Sequence, residues 1–226
     1  GASEIAKDKA YASYFMKRLG YPVPEEGVFF TVDWARAIGS RRNPVAAYRY
    51  ARSIGFPVIV KPNRKSQGSG VAKVWNKEEF LRAVRALRRN ERVFLVQRVA
   101  SGNDYRIVVL DGRVISAYER LPLAVIGDGR SSVQQLLRRK QAEFVRIGRD
   151  TRIPLDDFRI DFSLRRLKLN RRSVLTKGRR AELLANANLS TGGDAIDVTK
   201  SLHPEWRITA IKLTKEMNLR YCGVDV

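Results

Sequence analysis

Histidine and cysteine are almost missing from this 226-residue chain, which holds one of each, His203 and Cys222. A lone thiol closes no intramolecular disulfide and builds no thiolate metal cluster. Set in an apolar strand, Cys222 reads as a small core residue. His203 stands directly before Pro204, a position that suits a helix start or packing better than a general base. Acidic residues are also scarce, 23 against 44 lysines and arginines, for a formal charge of +21. No stretch approaches the roughly 18–20 apolar residues of a membrane span. The N-terminus lacks the apolar segment of a signal peptide. The expectation is a soluble, cytoplasmic protein without repeats or low-complexity linkers.

What is present suffices for one sizeable domain, or for two lobes: 44% of the residues are apolar and 9% aromatic. The positive charge is spread over both halves and is densest between Arg130 and Arg180, with Arg138-Arg139-Lys140, Arg165-Arg166, Arg171-Arg172 and Arg179-Arg180. Such a field attracts anions in general. A solvated, arginine-rich surface is the plain reading, and recruitment of an anionic substrate or partner is the other. Trp34, Trp75 and Trp206 read as core or rim residues.

The pattern predicts a helix from about Ile5 to Arg18, stopped by Gly20. Two prolines then force Tyr21-Pro22-Val23-Pro24 to be extended. A strand is expected over residues 28–32, a helix from the Asn43 cap to Gly55, a strand ending in Lys61-Pro62, and another over residues 71–75. Lys77 to Arg89 has helical spacing, and residues 93–96 read as a strand. Residues 105–110 and 114–118 form a hairpin around Asp111-Gly112. Ser132-x-x-Gln135 opens a helix through Val145 as a capping box. A long, basic, poorly patterned stretch follows, then a helix from Pro204 to Met217 and a strand over residues 221–226. The fold class is α+β in two lobes: residues 1–20 lead in, 21–100 form an N-lobe, and 101–226 form a C-lobe.

Lys61 is the first chemical candidate. A strand delivers it, and Ser66, Gln67, Gly68, Ser69 and Gly70 follow as a small glycine-containing turn. Glycines let backbone N–H groups approach an anion, and a lysine adds a point charge. Taken alone, the loop is weak evidence and reads more readily as a flexible hairpin loop beside a surface lysine.

Its surroundings add to it. Asp8-Lys9, Gly20 to Glu25 and Ile54-Gly55-Phe56-Pro57-Val58-Ile59-Val60-Lys61-Pro62 resemble the opening of the ATP-grasp fold. Leu95 to Arg106 resembles its hinge. Val125-Ile126-Gly127-Asp128-Gly129, Ala187 to Gly193, Asp197-Val198-Thr199 and His203-Pro204 are similar to the branch containing cyanophycin synthetases and the ligase half of bifunctional glutathione synthetases. The run Glu119-Arg120-Leu121-Pro122 looks closest to N-acetylglutaminylglutamine synthetases. The resemblance covers nearly the whole chain. It implies an ATP-grasp fold with antiparallel sheets and a nucleotide cleft between two lobes. It also implies an enzyme, an ADP-forming ligase that joins a carboxylate to an amine through an acyl phosphate, with ATP and Mg²⁺ as cofactors.

Carried over residue by residue, the resemblance gives Lys9 and Lys61 to the ATP phosphates, with the Ser66–Gly70 loop closing over them. Gln97 and Val99 would hold the adenine through the hinge backbone, and Asp104 the ribose. Arg106 and Arg120 would bind the phosphoryl group or acyl phosphate, although Arg120 reads equally as the partner of a nearby acid. Asn188 and the Ser190–Gly193 loop would line the substrate side, and Asp225 would be a Mg²⁺ ligand. A basic site of this kind suits acidic or amide-bearing amino acids or peptides. No membrane or nucleic-acid partner is expected, and an oligomer is left open.

Two departures from the family stand out. Gln97 replaces the usual hinge glutamate. The family pattern also continues to a Glu-x-Asn pair of metal ligands, which does not follow Asp225 before Val226, so the resemblance implies a fragment of a longer protein. Two alternatives remain: a basic module that binds polyanions or nucleic acid, and a catalytically inactive relative. Against the first, the aromatics are not interleaved with the basic runs as base stacking requires.

Overall fold

The computed structural model describes residues 2–64 and 68–226, with side chains from residue 4 onward. Two compact units divide it: the residues up to Gly102 with Lys215–Leu219, and Asn103–Thr214 with Arg220–Val226.

In the first unit, α1 (Ala2–Lys7) and α2 (Lys9–Arg18) stand where the pattern suggested one helix. Asp8 separates them. It leaves helical geometry, and its carboxylate accepts a hydrogen bond from Tyr11 N at 3.2 Å to cap α2. There follow β1 (Glu26–Phe30), α3 (Val32–Ala37), α4 (Pro44–Ile54), β2 (Val58–Pro62), β3 (Ala72–Val74), α5 (Lys77–Arg88) and β4 (Val93–Arg98). The expected strand over 28–32 stops at Phe30, because Thr31 takes the N-cap position of α3 and Val32 enters the helix. Both are β-branched, which is what made them look like strand.

The sheet runs β1-β4-β2-β3, with antiparallel pairs throughout. Strand alternation assigns the faces. Val58, Val60, Ala72, Val74 and Phe94 are buried together with Ala47 and Ala51 of α4 and Phe80, Val84 and Leu87 of α5. Full burial of Phe80 or Phe94 contributes about 1.5–3 kcal/mol each. Gly27 keeps that side closed, since an added Cβ would meet the Phe29 ring at 2.8 Å and the Tyr50 ring at 3.0 Å. The alternate positions, Glu26, Ile59, Lys61 and Gln97, are left on the other face.

The second unit opens with β5 (Asp104–Leu110) and β6 (Arg113–Leu121), a hairpin whose two-residue turn places Asp111 at φ 45° and Gly112 at φ 74°. Then come β7 (Ala124–Ile126), α6 (Val133–Arg146), α7 (Phe158–Arg166), β8 (Arg180–Glu182), a 3₁₀ turn (Leu189–Thr191), β9 (Asp194–Asp197), α8 (Pro204–Glu216) and β10 (Tyr221–Asp225). The main sheet runs β10-β5-β6-β9, and β7 pairs with β8. The Ser132–Gln135 capping box forms as the pattern predicts. His203 Nδ1 accepts from Glu205 N at 3.3 Å, at the start of α8.

The stretch without clear pattern is ordered around its own core of Leu123, Leu137, Ile160, Leu164, Leu175 and Leu183. Several of its arginines are internal struts. Arg171 donates to Asp161, Gln134 and the carbonyls of Leu155 and Asp157. Arg159 pairs with Asp157, the N-cap of α7, with both side chains largely buried. Among the described residues, no helix is long and apolar enough to cross a membrane.

Candidate functional site

The predicted residues fall into two groups, one in each unit. In the first, the end of β2 is the anchor. Asn63, directly after it, ties down α2: its carbonyl accepts from Lys9 N and Lys9 Nζ, both at 3.2 Å, and its side-chain oxygen accepts from Ala10 N at 3.1 Å. Asn63 Nδ2 donates to the buried Asp8 carboxylate at 2.7 Å. Asp8, Asn63 and the helix start therefore fix Lys9 beside the strand that carries Lys61. Burial, and next the charge of Lys61, push the Lys9 pKa down, while Glu91, Asp8 and Glu26 oppose the shift.

Lys61 is itself engaged. Its Nζ lies 3.2 Å from Glu26 Oε2 and donates to Gln97 Oε1 at 3.1 Å. Val99 lies just past the end of β4, half-buried, where the ladder stops. Of the loop between β2 and β3, Ser66 and Gln67 lie outside the described residues. Gly68 and Gly70 both take positive φ, 68° and 73°, the region that only glycine enters at little cost. A Cβ at Gly70 would also approach Leu87 to 2.8 Å, so this end of the loop lies close on α5. Ser69 is exposed between them.

In the second unit, strand register gathers four charged residues on one sheet face. Arg106 stands opposite Asp225, and Asp104 opposite Arg120. Arg106 Nε and Nη2 reach the two Asp225 oxygens at 2.7 and 2.9 Å. Arg120 bridges to Asp225 at 3.2 Å and makes a close charged pair with Asp104. Arg120 is thus paired with acids, as one reading of its sequence had it. Burial raises the Asp104 pKa, with Arg120 opposing. The Asp225 hydrogen bond holds Arg106 above its ordinary value. Gly223 lies beneath the Arg106 stem, where an added Cβ would sit 3.4 Å from Cδ.

Asn188 and its loop lie next to β6, beyond Arg120. Thr191 Oγ1 donates to the Asn188 carbonyl at 3.1 Å, and Asn186 Nδ2 donates to Asn188 Oδ1 at 3.3 Å and to Thr191 Oγ1 at 3.2 Å. Two glycines are required here. Gly192 has φ 97°, and a Cβ on Gly193 would come within 2.5 Å of the Leu121 carbonyl. Arg149 donates to the carbonyls of Leu189 and Gly193 and pairs with Asp194 at 3.2 Å, while Lys140 pairs with Asp194 at 2.8 Å. An open cavity of about 560 Å³, lined in part by Gln141, Arg149 and Thr151, lies beside this clamp. The Val125–Gly129 segment is structural: Asp128 accepts from Arg130 N and Ser131 N and pairs with Arg139. Gly127 would clash through a Cβ with the Thr176 carbonyl at 2.2 Å.

Sequence reasoning missed Glu26, Asn63, Lys140 and Arg149. Glu26 and Asn63 flank recognised segments, but only cross-strand register and the packing of α2 bring them to Lys61 and Lys9. Nothing in the spacing of Lys140 and Arg149 points to partners 40 to 54 residues downstream.

Against known proteins, residues 15–128 match the family described as D-ala D-ala ligase C-terminus, just over half of the chain. A cyanophycin synthetase of Nostoc sp. is 35% identical over 232 residues, covering 99% of this chain and 24% of the relative. A glutathione biosynthesis bifunctional protein of Mannheimia succiniciproducens is 30% identical over 230 residues, covering 98% of this chain and 29% of the relative. The chain thus spans about a quarter of the length of these curated relatives. Among solved structures, the D-alanine–D-alanine ligase of Bacillus anthracis superposes with a TM-score of 0.58 at 14% identity, covering 99% of this chain and 53% of that one. At that identity the likeness shows the fold.

Proposed function

The chain belongs to the D-ala D-ala ligase C-terminal family, with the ATP-grasp fold, and from that premise we propose that it carries the nucleotide-binding core of an ATP-dependent carboxylate–amine ligase. A substrate carboxylate oxygen attacks the γ-phosphorus, ADP leaves, and an acyl phosphate forms. An amine then attacks the acyl carbon, loses a proton, and inorganic phosphate departs with the C–O bond. Both steps crowd negative charge, so cations aimed at the phosphoryl group supply most of the stabilisation.

The observation that carries this reading is the pairing of Lys9 with Lys61. Asn63 holds Lys9 at the end of the strand that carries Lys61, close enough for the Lys61 charge to disfavour that of Lys9. Two ammonium groups at a strand end beside a glycine loop form a place that an oligophosphate stabilises. Lys9, Lys61 and the Ser66–Gly70 loop take the phosphates, and the backbone around Gln97 and Val99 takes the adenine. Asp104 takes the ribose. Arg106 and Arg120 take the phosphoryl group or acyl phosphate, and Asn188 with the Ser190–Gly193 loop lines the substrate side. The internal struts Arg149, Arg159 and Arg171 weaken the alternative of a free polyanion-binding surface, because part of the basic charge is spent within the fold.

Magnesium fits the donor chemistry in part. Among the described residues no three acidic, cysteine or histidine side chains converge, but Mg²⁺ commonly takes one or two carboxylates and completes its shell with phosphates and water. Asp225, with Asp104 nearby, would hold it, and the ion would neutralise phosphate charge. The substrates are an acidic or amide-bearing amino acid or peptide and an amine, and consumption of ATP puts the reaction in the cytoplasm.

Calorimetric titration with a non-hydrolysable ATP analogue, with and without Mg²⁺, tests the reading. Saturable binding that weakens at least about tenfold in Lys61→Ala is expected, as for loss of a charged hydrogen bond. No binding by the folded chain overturns it.

A further inference from the structure

Three side chains meet on the face of the first sheet opposite Val58, Val60 and Phe94. Glu26 of β1 stands directly opposite Gln97 of β4, and Lys61 of β2 stands opposite Leu95, two residues along the same strand. Gln97 Nε2 donates to Glu26 Oε2 at 3.1 Å, the same oxygen that lies 3.2 Å from Lys61 Nζ. The amide of Gln97 thereby holds the carboxylate with one end and the ammonium with the other. The Glu26 side chain is 5% exposed and that of Lys61 14%. Gln97 is neutral, so Glu26 is the acid that Lys61 touches among the described residues.

The charges around this trio come from several elements. Lys9 at the start of α2 contributes a second cation. Asp8, just before α2, and Glu91, just after α5, contribute anions on the Lys9 side. Glu26 acts on both lysines: it contacts Lys61 and also opposes the downward shift of Lys9.

We infer that Glu26 is a positioning residue for phosphate binding, holding the Lys61 side chain in place and aimed from the end of β2. The inference rests on the ligase reading for its purpose and on the sheet geometry for its substance. A lysine is a point charge on a flexible four-carbon stem, and a carboxylate that fixes its end spares a phosphate the cost of ordering it. Because the carboxylate is held from the side by Gln97, Lys61 does not need to be ordered when the ligand arrives.

The test measures affinity for the ATP analogue by calorimetry in the native sequence, in Glu26→Gln, and in the exchanged pair Glu26→Gln with Gln97→Glu. The exchange returns a carboxylate to Lys61 from the neighbouring strand. In Glu26→Gln the affinity is expected to fall about tenfold. The exchanged pair restores it. An unchanged affinity in folded Glu26→Gln overturns the inference. If that variant does not fold, the exchanged protein decides: a native-like affinity supports the role, and a weakened one overturns it. A native protein that binds no nucleotide overturns the ligase reading, whereas native binding that Glu26→Gln leaves unchanged overturns this inference alone.

Discussion

Arg106 holds Asp225 across the β5–β10 ladder with both sides of its guanidinium, at 2.7 and 2.9 Å, and Arg120 reaches the same carboxylate at 3.2 Å. If the ligase reading holds, a phosphoryl group that takes the arginines frees the Asp225 carboxylate for a metal ion. Asp225→Asn is therefore expected to retain nucleotide binding without Mg²⁺ but to lose the gain in affinity that Mg²⁺ gives the native protein. Because Asp225 is half-exposed, the stability lost is only about 1 kcal/mol. Calorimetry with and without the ion reads both effects. A Mg²⁺ gain that survives the substitution removes Asp225 from the metal's ligands.

Lys61 and Glu26 form a largely buried ion pair between strands of the first unit. Removing one member strands the other. Lys61→Ala should cost about 3 kcal/mol of stability, whereas Lys61→Ala combined with Glu26→Leu should recover most of it. Both proteins should bind the ATP analogue at least about tenfold more weakly. Urea unfolding beside calorimetry separates the two effects. Equal stability losses would show that the charges are not coupled, and native-like binding by the double variant would remove Lys61 from the phosphate ligands.

Much of the first unit was legible because its signals are local. Asn43-Pro44 caps α4, Lys77–Arg88 carries a clean apolar stripe, and the short β-branched run ends on Lys61. The charged face of the second sheet was legible residue by residue, though its pairing was not. Nothing near Arg120 in sequence says that it will meet both Asp104 and Asp225, because register alone decides that. The segment between α6 and β9 was opaque for another reason. Its elements are short, and Arg159 and Arg171 do the work of core polar links while reading as surface charge.

The turn that carries Asn188 tests the claim that its shape matters. Gly193 has no room for a Cβ, which would sit 2.5 Å from the Leu121 carbonyl and 2.9 Å from that of Asn188. Backbone atoms cannot swing aside as a side chain can. Gly193→Ala should therefore shift the turn and destabilise the unit by about 1–3 kcal/mol. Gly20→Ala is the contrast, since Gly20 has positive φ, 84°, which Gly193 does not, and no neighbour within 4 Å of an added Cβ. Its cost should be only the backbone strain, about 1 kcal/mol. If the ligase reading holds, turnover in Gly193→Ala falls well beyond what its stability loss explains. Unfolding curves that coincide for the two variants would show that the close approach at Gly193 is not binding on the turn.

Asp194 gives the same turn a pH dependence whose sign is fixed. Burial alone would raise its pKa, but the hydrogen bonds and charges of Lys140 and Arg149 outweigh burial and hold it below the ordinary value. The folded protein therefore binds this proton more weakly than the unfolded chain does. The resulting stability is fully present above the ordinary aspartate pKa of about 3.9 and is lost as the pH falls through the lower, folded value. Asp194→Asn lacks that contribution at every pH. The difference in melting temperature between the native protein and Asp194→Asn should stay constant from pH 8 to 5, then close as the solution is acidified below about pH 4. Because the pair is partly exposed, added salt should narrow the difference at neutral pH. A difference that persists unchanged at pH 3 would mean that Asp194 acts through its shape and hydrogen bonds, with its charge contributing nothing to the clamp.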